Sequence, residues 1–146
     1  MTQGPTFARR AFVLCGAALV AMPRPARATP EEVAAVIKEV TGGAELKPGR
    51  VKLDIPVMVE NGNAVGLTAG VEAAEPRCTD LYLFAERNPL PRALHASFGP
   101  AAGRTELATR MRLATSQTVV AVARLEDGTF WTDGVDLIVT LAACLE

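Results

Sequence analysis

From Val51 onward the apolar residues of this chain fall at every second position, in short runs separated by turn signals. A period of two is the repeat of a half-buried strand, and a helix cannot use it without spreading its apolar residues around the axis. Val51, Leu53 and Ile55 alternate with Lys52 and Asp54. Glu60–Asn63, "ENGN", carries the Asn-Gly pair of a tight hairpin, and "AVGLTAGVEA" returns as a strand. "DLYLFAER" follows and is closed by "NPLP"; "LHASF" alternates again up to Gly99-Pro100. In "TELATRMRLA", Leu107, Thr109, Met111 and Leu113 share one side. "QTVVAVARLEDGTFW" is a strand, an Asp127-Gly128 hairpin and a return strand, and "VDLIVTLA" is the last run. About seven short strands at even spacing predict a mainly β chain, an immunoglobulin-like β-sandwich.

One segment breaks the pattern. In "TPEEVAAVIKEVTGG", Thr29 can cap a helix, Pro30 suits its first position and Glu32 completes a capping box. Val33, Val36, Ile37 and Val40 form one apolar stripe, and Gly42-Gly43 ends it. The sandwich is therefore expected to carry one N-terminal amphipathic helix.

The residues before that cap read as an export leader. Arg9 and Arg10 precede the 12-residue apolar run "AFVLCGAALVAM", too short to cross a bilayer as a helix, and "ARA" at 26–28 fits a small-x-small cleavage site. The paired arginines suit either general secretory or twin-arginine export. Cys15 lacks the small residue expected before a lipidated cysteine. The expected domains are a removed signal peptide at 1–28, a sandwich with its helix at 29–141, and a C-terminal arm at 142–146. Without the four leader arginines, 11 basic residues face 16 acidic ones, a net charge near −5. That balance argues against nucleic-acid binding, and no second apolar run is long enough for stable membrane insertion.

Candidate chemistry is sparse. His95 is the only histidine and has no carboxylate beside it in sequence; it reads as an ordinary strand residue. No metal cluster, phosphate loop or Ser/His/Asp set is legible, so no metal or other cofactor is expected. Arg110 and Arg112 point the same way from their strand. They read as a solvated face, or as a pair that can hold an anion or a partner's acidic patch. Cys78 and Cys144 remain after leader removal, which permits one disulfide. Cys144 is the unusual one, with only Leu145 and Glu146 after it. From Ala142 to Cys144 an extended chain reaches at most about 10 Å. A thiol on such an arm can enter a cleft of another protein and keep a covalently held intermediate from diffusing away.

"NGN…V", "LYLFAERNPLPRALHASFGP", "TRMRLATSQTVVAVARLEDGTFW" and "VDLIVTLAACLE" together resemble, in order, the SoxY sulfur carrier family of periplasmic thiosulfate oxidation, over residues 31–146. The resemblance implies an exported, non-catalytic carrier with a helix-bearing immunoglobulin-like sandwich, paired as a heterodimer with a SoxZ-like subunit. It implies covalent cargo on the arm cysteine, here Cys144, and visits from periplasmic redox enzymes such as a c-type cytochrome. The arm departs from the family's Gly-Gly-Cys-Gly-Gly: Ala142, Ala143, Leu145 and Glu146 surround the cysteine. This looks like a subgroup with an Ala-Ala-Cys-Ile-Glu arm linked to quinoprotein dehydrogenase systems, with Leu145 for isoleucine. Each Gly-to-Ala change narrows the backbone by roughly 0.5–1 kcal/mol of chain entropy. The carboxylates of Glu146 and the chain end disfavour the thiolate and repel an anionic substrate. The contrasting reading is a binding or scaffold module whose arm docks through Leu145 and Glu146, with Cys144 idle or bonded to Cys78. A thiol enzyme has no base to name for Cys144. N-terminal sequencing of the exported protein should begin at Thr29 or within a few residues of it.

Overall fold

The computed structural model describes residues 28–143. The expected leader lies outside them apart from Ala28, and Cys144, Leu145 and Glu146 also lie outside.

The helix forms as the sequence predicts. In α1 (Pro30–Thr41) the Thr29 hydroxyl accepts from the Glu32 amide, the Thr29 amide donates to the Glu32 carboxylate at 2.8 Å, and Gly42 closes the last turn at φ 64°. Its apolar stripe faces the sheet: Val33 is 2% exposed, and the half-buried Val36, Ile37 and Val40 pack on the cluster of Tyr82, Phe84, Val122 and Phe130.

Nine strands are present among the described residues: β1 (Leu46–Pro48), β2 (Val51–Asp54), β3 (Met58–Asn61), β4 (Val65–Val71), β5 (Cys78–Ala85), β6 (Arg92–Ser97), β7 (Glu106–Met111), β8 (Gln117–Leu125) and β9 (Phe130–Leu141). They make two sheets. One runs β1-β9-β8-β5-β6 with β3 also on β9; the other runs β2-β4-β7. Leu81, Leu83, Val119, Ala121 and Leu137 of the first sheet meet Leu53, Leu67 and Ala69 of the second. The architecture is an immunoglobulin-like β-sandwich with a single helix on the outer face of the larger sheet. The helix explains why β5 is buried on both sides: Leu81 and Leu83 face the sandwich core, while Tyr82 and Phe84 lie under α1.

The structure corrects several details of the sequence reading. The count is nine strands, not about seven, because β1 and β3 are short and pair in parallel with β9. Parallel neighbours come from distant segments and leave no hairpin signal. The Asn-Gly turn is not a hairpin: β3 belongs to one sheet and β4 to the other, so Gly62 carries the chain across the sandwich. "TFW" and "VDLIVTLA" are one strand. Asp133, which with Gly134 resembles a turn, instead accepts from the Leu53 amide at 2.8 Å and the Gly134 amide at 2.9 Å, tying β9 to β2 of the other sheet. The Asp127-Gly128 hairpin is as expected, with Gly128 at φ 80°. Cys78 opens β5 and is buried.

Phe84 is fully buried between sheet and helix, so Phe84→Ala should cost about 3–5 kcal/mol in urea unfolding, against about 1 kcal/mol for the cap variant Thr29→Ala.

Candidate functional site

The root of the C-terminal arm is built from three segments distant in sequence. At the end of β9, the Leu141 carbonyl accepts from the Gly62 amide at 2.8 Å. The Gly62 carbonyl accepts from the Leu113 amide at 2.8 Å, and the Leu113 carbonyl accepts from the Ala143 amide at 3.0 Å. Gly62 is required here for space. A Cβ would lie 2.5 Å from the Leu113 carbonyl oxygen and 3.0 Å from the Ala143 nitrogen, and neither backbone atom can move aside cheaply.

The arm therefore does not hang free from Ala142. Ala142 is exposed, but Ala143 is buried at 7% and bonded to the body. Beyond that last bonded residue, Cys144 is one peptide away, with its Cα about 3.8 Å from that of Ala143. The reach available without releasing Ala143 is much shorter than an arm beginning at Ala142 provides.

Asn88 fixes the neighbouring segment. It is 9% exposed, its amide donates to the Arg112 carbonyl at 2.8 Å, and its side-chain oxygen accepts from the Ala114 amide and from the Gln117 side chain, each at 3.0 Å. This buried amide holds the chain on both sides of Leu113, which is fully buried. Arg110 and Arg112, paired in the sequence reading, are both exposed and line one open cavity with Arg92 of β6. Nothing local to "TRMRLA" signals Arg92: the two segments meet because β6 and β7 are edge strands of the two sheets.

Cys78 sits at the other end of the sandwich. It pairs with Leu125, whereas the arm root adjoins the Gln117 end of β8. Eight strand steps separate those ends, about 26 Å, and a disulfide needs its Cα atoms within about 7 Å. The Cys78–Cys144 bridge would require the end of β9 to unravel. Burial pushes the Cys78 thiol up to about 11, despite its hydrogen bond to the Asp80 carbonyl at 3.3 Å. It is therefore a protonated, unreactive packing residue near neutral pH.

His95 acquires a partner that sequence neighbours did not show. Its Nε2 lies 2.8 Å from Asp80 Oδ1, which also accepts from Ser97 Oγ at 2.8 Å, and its ring stacks on Tyr82 at 4.3 Å between centroids. This is not a nucleophilic triad. Hydroxyl and imidazole converge on one carboxylate oxygen, whereas a triad needs the imidazole between the other two groups. Burial raises the Asp80 carboxyl, but hydrogen bonds from His95, Ser97 and Thr79 outweigh it and hold the group below the ordinary carboxylate range. Its contribution to stability is present above that range and is lost as pH falls through the depressed value. Among the described residues, no group of three His, Cys, Asp or Glu side chains is placed to hold a metal ion. None of the described helices is long and apolar enough to cross a membrane.

The family model "Sulfur oxidation protein SoxY" matches residues 37–144. The chain belongs to the SoxY family. Among solved structures, the sulfur carrier protein SoxY from Chlorobium limicola f thiosulfatophilum matches with a TM-score of 0.65 at 21% identity, covering 76% of this chain and 98% of that one. A superoxide reductase (neelaredoxin) variant from Ignicoccus hospitalis matches at 0.56 and 15% identity, covering 76% of this chain and 92% of that one. These identities show shared fold alone. No curated protein sequence matches. The SoxY match extends through Cys144, so the family's region reaches past the arm root described above.

Gly62→Ala should loosen that root. We expect a stability loss of about 1–3 kcal/mol, the range for overpacking, and faster hydrogen exchange concentrated at the Leu113 and Ala143 amides rather than across β5 and β8.

Proposed function

We propose that this chain is an exported SoxY-type carrier that holds a sulfur-pathway or related intermediate covalently on Cys144 and presents it to partner enzymes. The observation that carries the reading is the arm root. The SoxY fold ends in a backbone tie at Ala143, and the next residue is a cysteine in a chain whose other mature thiol is buried and unreactive. The role is a carrier's rather than a catalyst's, because no base adjoins Cys144 in sequence and the remaining mature thiol and the histidine serve packing and a surface cluster. Joining a cysteine thiolate to the outer sulfur of a thiosulfate dianion releases two electrons. The partners therefore include an electron acceptor of the c-type cytochrome or quinoprotein dehydrogenase kind. The leader at 1–28 would deliver the chain to the periplasm.

A SoxZ-like subunit is the expected stable partner. On the outer face beside the arm root, Met58 is 70% exposed and Ile138, its register partner, 56%. Val57, 59% exposed, is bonded to the Ile138 amide through its carbonyl. This cluster of exposed large apolar side chains supports a protein interface there.

The short reach from Ala143 gives the carrier a particular character. Partners must either approach the sandwich body closely or release the Ala143 hydrogen bond, so loading and docking are coupled. Cys144→Ser should abolish the reductant-sensitive adduct seen by intact mass after purification from periplasm, and should change stability by less than about 0.5 kcal/mol. Cys78→Ser should keep the adduct. An adduct that survives Cys144→Ser, or a loss of several kcal/mol, would remove the basis for a carrier thiol.

A further inference from the structure

At the edge of the sandwich, where β6 and β7 approach, an open cavity of about 340 Å³ is lined by Asn88, Leu90, Arg92, Arg110, Met111 and Arg112, among others. Its chemistry is mixed. Three guanidinium groups gather in a chain whose mature charge is negative, and no carboxylate among the described residues pairs with any of them. The same chain pairs Arg77 with Glu126 at 2.7 Å. Beside the arginines, Leu90 is 76% exposed and Met111 half-buried. The cavity is braced, since the Asn88 amide holds the Arg112 carbonyl at 2.8 Å.

The chain leaves the described body next to this cavity. Ala143 is bonded to the carbonyl of Leu113, the residue after Arg112. Three residues remain: Cys144, Leu145 and Glu146. Extended, they span at most about 10 Å, and three strand steps from Leu113 back to Arg110 cover about the same length. Glu146 carries a carboxylate, and the residue before it is a leucine. One apolar side chain followed by a negative charge matches a lining of Leu90, Met111 and three arginines.

We infer that the arginine cavity is the docking site of the chain's own residues 144–146, with the Glu146 carboxylate on Arg92, Arg110 and Arg112 and Leu145 against Leu90 and Met111. Carboxylate–guanidinium pairing is bidentate and directional, which suits a tail too short to gain much from apolar burial. Docking draws the Glu146 carboxylate, which disfavours the Cys144 thiolate, onto cations, so its repulsion of an anionic substrate is offset. It also holds the thiol against the body until a partner or an anion competes for the arginines. The docking needs no cargo, and it stands or falls separately from the carrier reading.

The test is backbone ¹⁵N relaxation on the mature full-length chain at low salt. The amides of Leu145 and Glu146 should give order parameters above about 0.8, as in rigid backbone, and fall below about 0.6 in Arg110→Gln/Arg112→Gln. Glu146→Gln, a change outside the sandwich, should give intermediate values, and 0.5 M sodium chloride should act like the arginine changes. A tail that is flexible in the parent protein overturns the inference. So does a tail that stays ordered without the two arginines. If the parent tail is flexible and added sulfate shifts the Arg92 and Arg112 amides, the cavity takes small anions and the inference fails in that specific way. Intact mass of the Cys144 adduct on the same samples reports the carrier reading independently.

Discussion

Everything about the candidate site depends on three backbone hydrogen bonds, two of them made by Gly62 and the third from Ala143 to Leu113. Leu141 ends the longest strand of one sheet, Leu113 follows the edge strand of the other, and Gly62 lies on the crossing between the sheets. Each bond satisfies a peptide group that would otherwise be buried without a partner. Together they join both halves of the sandwich at one point and place the start of the tail there. Because the tie is made by backbone atoms at close approach, it tolerates no side chain at 62 and is indifferent to most side chains elsewhere.

The two ends of the sandwich are thereby given different work. At the Leu125 end lie Cys78, with its thiol pushed up by burial, and the Arg77–Glu126 ion pair. These are packing and closure features. At the Gln117 end lie the arm root, the Asn88 amide network and Arg92, Arg110 and Arg112, which pair with no carboxylate among the described residues. Exposed positive charge is concentrated beside Ala143, and an exposed apolar patch lies on the adjoining outer face. A single long strand, β9, connects the two ends, and Cys78 is separated from Ala143 by about the length of β8.

Several elements were legible in the sequence because their causes are local. The helix was readable to its caps, since Thr29, Pro30, Glu32 and Gly42 act within one turn of their own position. The Asp127-Gly128 hairpin and the alternation of β2, β7 and β8 were readable for the same reason. The Asn-Gly pair at 61–62 was misread because its composition fits a hairpin turn equally well. What decides the matter is that β3 pairs with β9 of one sheet and β4 with β2 and β7 of the other, so Val59 and Val65 enter one core from opposite sheets. The Thr132–Gly134 stretch was misread as a break because Asp133 finds its partner, the Leu53 amide, 80 residues away.

By itself the sequence determined the period of the strands, the one helix, the scarcity of histidine and the placement of Cys144 just after the last apolar run. Those follow from residue type and spacing, which need no distant partner. Only the tertiary structure decided that Ala143 is docked rather than free, that Cys78 lies at the end of the sandwich opposite Ala143, that His95 has a carboxylate partner, and that Arg92 joins Arg110 and Arg112. Each of these is a meeting of segments brought together by sheet pairing and sandwich closure. Such meetings are set by the burial of the whole core, a quantity no short window of sequence contains.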